Sequence, residues 1–213
     1  MSVVNFNLQP DRILVLTDTV AYARQAPALL GKKVHHNHVS RAAITTRGPV
    51  RVGDFVGELV EQATLPSMAV GGAVVTMALR KAFGLFPEAR KNRSEATLFM
   101  WDGEPRVIRW RMDEAGEVEQ FEYGAGYYMT PSLGIHEYPP ILQPKQMVSL
   151  ALVQQRIVKT HGLLMCVGGD MQLTTITADG VTFETIGSYP DKAETEAAVA
   201  SYQAQFMTAE LAA

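Results

Sequence analysis

"GKKVHHNHVSRAAITTRG", residues 31–48, decides how the rest of this chain is read. In an extended segment side chains alternate between faces. Lys33, His35 and Asn37 then share one face, and Val34, His36 and His38 the other. The second half, "AAITTRG", is apolar and β-branched until Gly48 ends it. The stretch predicts two short strands joined by a turn. Alternation also means that Lys32 and Lys33 do not both point inward from one strand, and by itself leaves open which of them does. The histidines raise the question of zinc, since His36 and His38 lie on one face. No nearby cysteine or acidic pair completes a ligand set. The reading is therefore exposed or core-edge histidines, with no metal and no cofactor.

Upstream, "SVVNFNL" alternates apolar and polar residues, with Val4, Phe6 and Leu8 on one side. "ILVLTDT", residues 13–19, is almost continuously apolar and β-branched, the pattern of an inner strand covered on both faces. "AYARQAPALLG", residues 21–31, reads as an irregular link broken by Pro27 and Gly31. Downstream, "VGDFVGELVEQAT" puts Val52, Phe55, Val56, Leu59 and Val60 on one helical stripe. Asp54 is expected in the first turns, where a carboxylate suits the positive helix end. "SMAVGGAVVTMALRKAFGLF" predicts a second helix with Ser67 as N-cap. The Gly71–Gly72 pair inside it permits close helix contact.

Three strands follow, at 96–101, 106–112 and 118–123, separated by the turn formers "DGEP" and "DEAG". "YYMTPSLGIHEYPPILQP" reads as irregular because of its four prolines. "KQMVSLALVQQRIVKTHG" predicts a helix ending at Gly162, and "GGDMQLTTITADGVTFETIG" a final strand pair around "ADG". The helices are too few to serve as crossovers between parallel strands. The order fits an α+β fold: two antiparallel sheets covered by helices, a four-layer αββα sandwich. One sandwich domain is expected over residues 1–190, with residues 191–213 forming a helical tail packed on it.

The formal charge of −3 excludes a general nucleic-acid binder. Arg109 and Arg111 share a strand face opposite Arg106, but Asp102, Glu104, Asp113 and Glu114 beside them would repel phosphate. A solvated hairpin face is the reading, with no nucleic-acid partner. Cys166 is the sole cysteine, so no intramolecular disulfide forms; it is expected to act as a small buried hydrophobe. "GEPRVIRW" and "FEYGAGYYMTPS" are expected to line a shallow cleft, with Tyr123, Tyr127 and Tyr128 as contact surface. "MSVVNFNLQPDR" lacks the basic start and apolar core of a signal peptide. No apolar run is read as reaching the ~18 residues that cross a bilayer. A cytoplasmic setting with no membrane partner is the expectation.

Four stretches, "ILVLTDT", "GKKVHHNHVSRAAITTRG", "FEYGAG" and "GGDMQLTTITADGV", carry a likeness through their order and spacing. The chain resembles the proteasome β-type members of the N-terminal nucleophile hydrolases. In that family the first residue's side chain attacks an amide, and its free α-amine takes the proton. The resemblance implies Ser2 as nucleophile once Met1 is removed, Lys33 as the adjacent cation, Asp18 as the residue orienting it, and Gly48 as the oxyanion-turn glycine. The pattern also differs. The family's N-terminal threonine is replaced by the serine of "MSVVNF". An aspartate and a serine near the end of the third helix are missing from "LLMCVGG". These departures favour a divergent, non-catalytic relative with a structural or assembly role, a homo-oligomer with a possible peptide or protein partner. A serine amide hydrolase or peptidase is the alternative.

Overall fold

Strands β1 (Val4–Leu8) and β2 (Ile13–Asp18) are buried at every position, as expected when both faces of a sheet are covered. The structure, a computed structural model, describes residues 3–23, 26–130, 132, 142–160 and 167–211. β1 and β2 sit inside a five-stranded antiparallel sheet. Its order is β10 (Gly126–Thr130), β1, β2, β11 (Asp170–Thr177), β12 (Gly180–Ser188). The second sheet runs β5 (Val34–Asn37), β6 (Ala42–Arg47), β7 (Ser94–Trp101), β8 (Pro105–Met112), β9 (Val118–Glu122).

Three apolar cores define four layers. Phe6, Ile13 and Val15 meet Val34, Phe99 and Val107 between the sheets. On the outer face of the second sheet, Ile44, Leu98 and Trp110 pack against helices α1 (Val50–Gln62) and α2 (Met68–Leu85). On the other side, Leu14, Leu16 and Leu173 pack against Met147, Ala151 and Val158 of α3 (Pro144–Thr160). The result is the αββα sandwich that the element order predicts. Helix α4 (Lys192–Leu211) packs against the hairpin described next.

Several local readings change. The expected irregular link contains the hairpin of β3 (Val20–Ala23) and β4 (Ala26–Leu30). Pro27 fits because it stands at a register shift in a two-stranded sheet, where a missing N–H is tolerated. β10 pairs with β1 along its whole length; the prolines that suggest irregularity begin only after Thr130. α1 starts at Val50, so Asp54 falls in its second turn and its first turn holds no acid. Ser67 does cap α2, accepting from the Val70 amide at 3.3 Å.

The glycine pair serves helix–sheet rather than helix–helix approach. A Cβ on Gly71 would stand 2.7 Å from Leu98, and one on Gly72 would stand 2.9 Å from the Trp110 ring. α2 is also, by length and a mean hydropathy of 1.3, apolar enough to cross a bilayer, contrary to the sequence reading. In the fold its inner face, Met68, Val75, Ala78, Leu79 and Ala82, is buried on the second sheet.

Candidate active site

Asp18 ends β2 on the α3 side of the first sheet, and its carboxylate is fully buried. An isolated charge there is costly unless paired and hydrogen-bonded. Three donors meet that need. The Lys33 ammonium donates to Oδ1 at 2.7 Å, and the Val3 amide donates to the same oxygen at 2.9 Å. The Gly168 amide approaches Oδ2 at 3.4 Å. Burial pushes the Asp18 carboxyl above its ordinary range, opposed by the Lys33 charge and by the hydrogen bonds from Lys33, Val3 and Gly168. The Lys33 side chain retains 12% exposure.

Lys32 and Lys33, just before β5, go to different partners. Lys32, half exposed, turns away to Glu61 at 3.3 Å. His35, on the Lys33 face, places Nδ1 3.2 Å from the same carboxylate. Its ring lies flat against α1 at Gly57, where a Cβ would come within 2.1 Å of Cδ2. His36 points the other way. Its Nε2 meets Thr174 Oγ1 of β11 at 2.9 Å, and its ring stacks on Phe183 at 4.9 Å. Burial, helped by the charges of His38 and Lys32, pushes His36 down to about 4. His38 is exposed. Among the described residues no group of three or more His, Cys, Asp or Glu is placed to hold a metal.

Gly48 follows β6 with φ +128°, and a Cβ there would stand 2.9 Å from the Arg93 carbonyl oxygen. Only glycine takes this turn without strain. Lys33 and Gly48 line one cavity of about 1270 Å³, with Thr19, Gly31, His35, Arg47 and Glu95 on its walls. Three of the four sequence candidates thus meet: Asp18 bonds Lys33, and Lys33 shares the cavity with Gly48. Ser2, like Cys166, lies outside the described residues. Val3, one peptide bond after Ser2, is held on Asp18.

Sequence reasoning missed the amide donors Val3 and Gly168, since backbone groups leave no side-chain signature. It also missed the brace behind them. Thr19 Oγ1 accepts from the Asp170 amide at 2.9 Å, and Lys192 of α4 bonds the Asp170 carboxylate at 2.9 Å. The tyrosines expected at a cleft serve packing instead. Tyr123 and Tyr128 lie 5.0 and 4.9 Å from Phe6, and Tyr127 is buried on the α3 side.

The layer order and the two packed antiparallel sheets are those of a proteasome-like fold. Among solved structures the chain is similar to Anbu from Hyphomicrobium sp. strain MC1, at 15% identity and a TM-score of 0.61, over 98% of this chain and 96% of that one. A mutant of that same Anbu aligns at 16% identity and a TM-score of 0.62, over 98% and 95%. No family description and no curated protein sequence matches the chain.

Proposed function

We propose that this protein is an amide hydrolase that uses the Ser2 hydroxyl as nucleophile after Met1 is removed. The observation that carries the reading is the buried Asp18 carboxylate bound by both Lys33 and the Val3 amide. A buried ion pair adds little net stability and often less than apolar residues of the same volume. One whose lysine lines a large cavity beside a glycine-only turn has a chemical use.

In the proposed reaction the Ser2 oxygen bonds to the substrate carbonyl carbon and its proton passes to the α-amine. An α-amine, with a pKa near 8, is matched to that task. The Lys33 ammonium stabilises the negative charge that develops, and the Gly48 amide donates to the oxyanion. The C–N bond breaks as the amine leaves with the proton, and water then cleaves the resulting ester. Peptides are the natural substrate class for a site of this size. We further propose a cytoplasmic setting and a homo-oligomer; light scattering of the purified protein tests the latter.

A non-catalytic assembly role is the second reading, supported by "LLMCVGG" standing where the resembled family has an aspartate and a serine. The N-terminal mass separates the two. The hydrolase reading requires a Ser2 start and a Ser2 adduct with an electrophile that bonds both amine and hydroxyl of one residue. Lys33→Ala should abolish that adduct. Protein purified from its native cells with Met1 intact would transfer the case to the assembly role.

A further inference from the structure

The register of the second sheet sets Arg47, Glu95 and Arg111 side by side on β6, β7 and β8. Arg47 and Arg111 share the one Glu95 carboxylate, each at 3.0 Å. The side chain of Arg109, two residues before Arg111 on the same face, makes no hydrogen bond or ion pair with the described residues. Its Nε is inaccessible and unpartnered. Its guanidinium lies over the Phe121 and Tyr123 rings, 5.3 and 5.4 Å from their centroids. Arg111 lies over Phe121 as well, at 5.5 Å. Glu119 stands opposite Arg111 in the register but is exposed and forms no ion pair with the described residues. The sequence reading of a solvated hairpin face is therefore incomplete.

One end of this row lies at the candidate active site, where Arg47 and Glu95 line the cavity that holds Lys33 and Gly48; Arg109 and Arg111 stand on the next strand, β8, outside that lining. A guanidinium over aromatic rings is attracted to their faces, which restrains the side chain, and its own planar fork is pre-organised. Planar carboxylates match that fork and form charge-assisted pairs with it. We propose that Arg109, with Arg111, forms a subsite for a carboxylate of the bound peptide. The ligand is an acidic side chain or a free C-terminal carboxylate, which share this chemistry. The assignment rests on the site's taking peptides, but it does not require turnover.

Calorimetric titration of the full-length protein tests it without hydrolysis. Three N-acetylated alanine pentapeptides serve as probes: a C-terminal amide with one central glutamate, the same peptide with glutamine, and an all-alanine peptide with a free C terminus. Either carboxylate probe should bind about tenfold tighter than the glutamine peptide, and salt should weaken that preference. The probe with the preference identifies the source of the carboxylate. Arg109→Gln should erase the preference, and Arg111→Gln should reduce it. Equal binding of all three probes, absence of binding, or a preference that survives both substitutions would overturn the subsite. The wild-type comparison stands even if a variant fails to fold. Because no probe must be cleaved, a silent nucleophile leaves the outcome intact.

Discussion

At the scale of the residue, the decisive pair is Lys33 and Asp18. Burial favours the neutral carboxyl, while the ammonium and two amides favour the charged one. Lys33→Met removes the ammonium and leaves an uncompensated buried charge. It should cost about 3–5 kcal/mol at neutral pH. The pH dependence has a definite sign. Without Lys33 the folded-state Asp18 carboxyl titrates higher still, above its unfolded value. The folded form then holds its proton where the unfolded form releases it. Stability of the variant should be best in mild acid and fall as pH rises through the raised value. Urea unfolding of both proteins at several pH values between about 4.5 and 8 measures this. A constant difference across that range would contradict the account of Asp18. Alternation showed that Lys32 and Lys33 would not both point inward and the family resemblance singled out Lys33, but the amide donors from Val3 and Gly168 were not legible. They depend on where two distant backbone segments lie, which no local pattern encodes.

At the scale of the element, α1 is seated by the contact between Gly57 and the His35 ring. Gly57→Ala gains helix propensity of about 1 kcal/mol. It also drives a methyl into three ring atoms within 2.5 Å, in a packed layer where overpacking costs typically 1–3 kcal/mol. The ring is anchored by Glu61, so the clash should win and lower the melting temperature. Gly84→Ala is the control: nothing lies within 4 Å of its Cβ. It should raise the melting temperature slightly, and thermal melts of the two variants should move in opposite directions. The elements legible in sequence were those with a sustained period, such as α1, α2 and the meander from β7 to β9. The β3–β4 hairpin and β10 were not. β3 and β4 are short and carry a proline at a bulge. β10 is recognisable only from the β1 edge it completes.

At the scale of the whole molecule, the two sheets are joined by apolar packing and by the polar contact of His36 with Thr174. The folded state holds this imidazole neutral, near 4 against an ordinary 6.5. Its contribution is complete above pH 6.5 and fades as pH falls towards 4, where the unfolded chain binds a proton that the native one refuses. His36→Gln should flatten the stability profile across that window by up to one proton. Denaturant melts at matched pH read this directly, and an unchanged slope would remove His36 from the account. The sandwich itself was legible from the order of elements, because each sheet needs a cover and only helices are available to supply it. The first sheet carries a further consequence. Its strands are far apart in sequence, with β1 and β2 within residues 4–18 and β11 and β12 within residues 170–188. The carboxylate at the end of β2 therefore has its Gly168 donor only after some 150 further residues have been made. Such distant pairings form slowly, so an unfinished or truncated copy would leave that acid without its full set of donors. The fold thus withholds the complete centre until the segments around residues 18 and 168 have both been made.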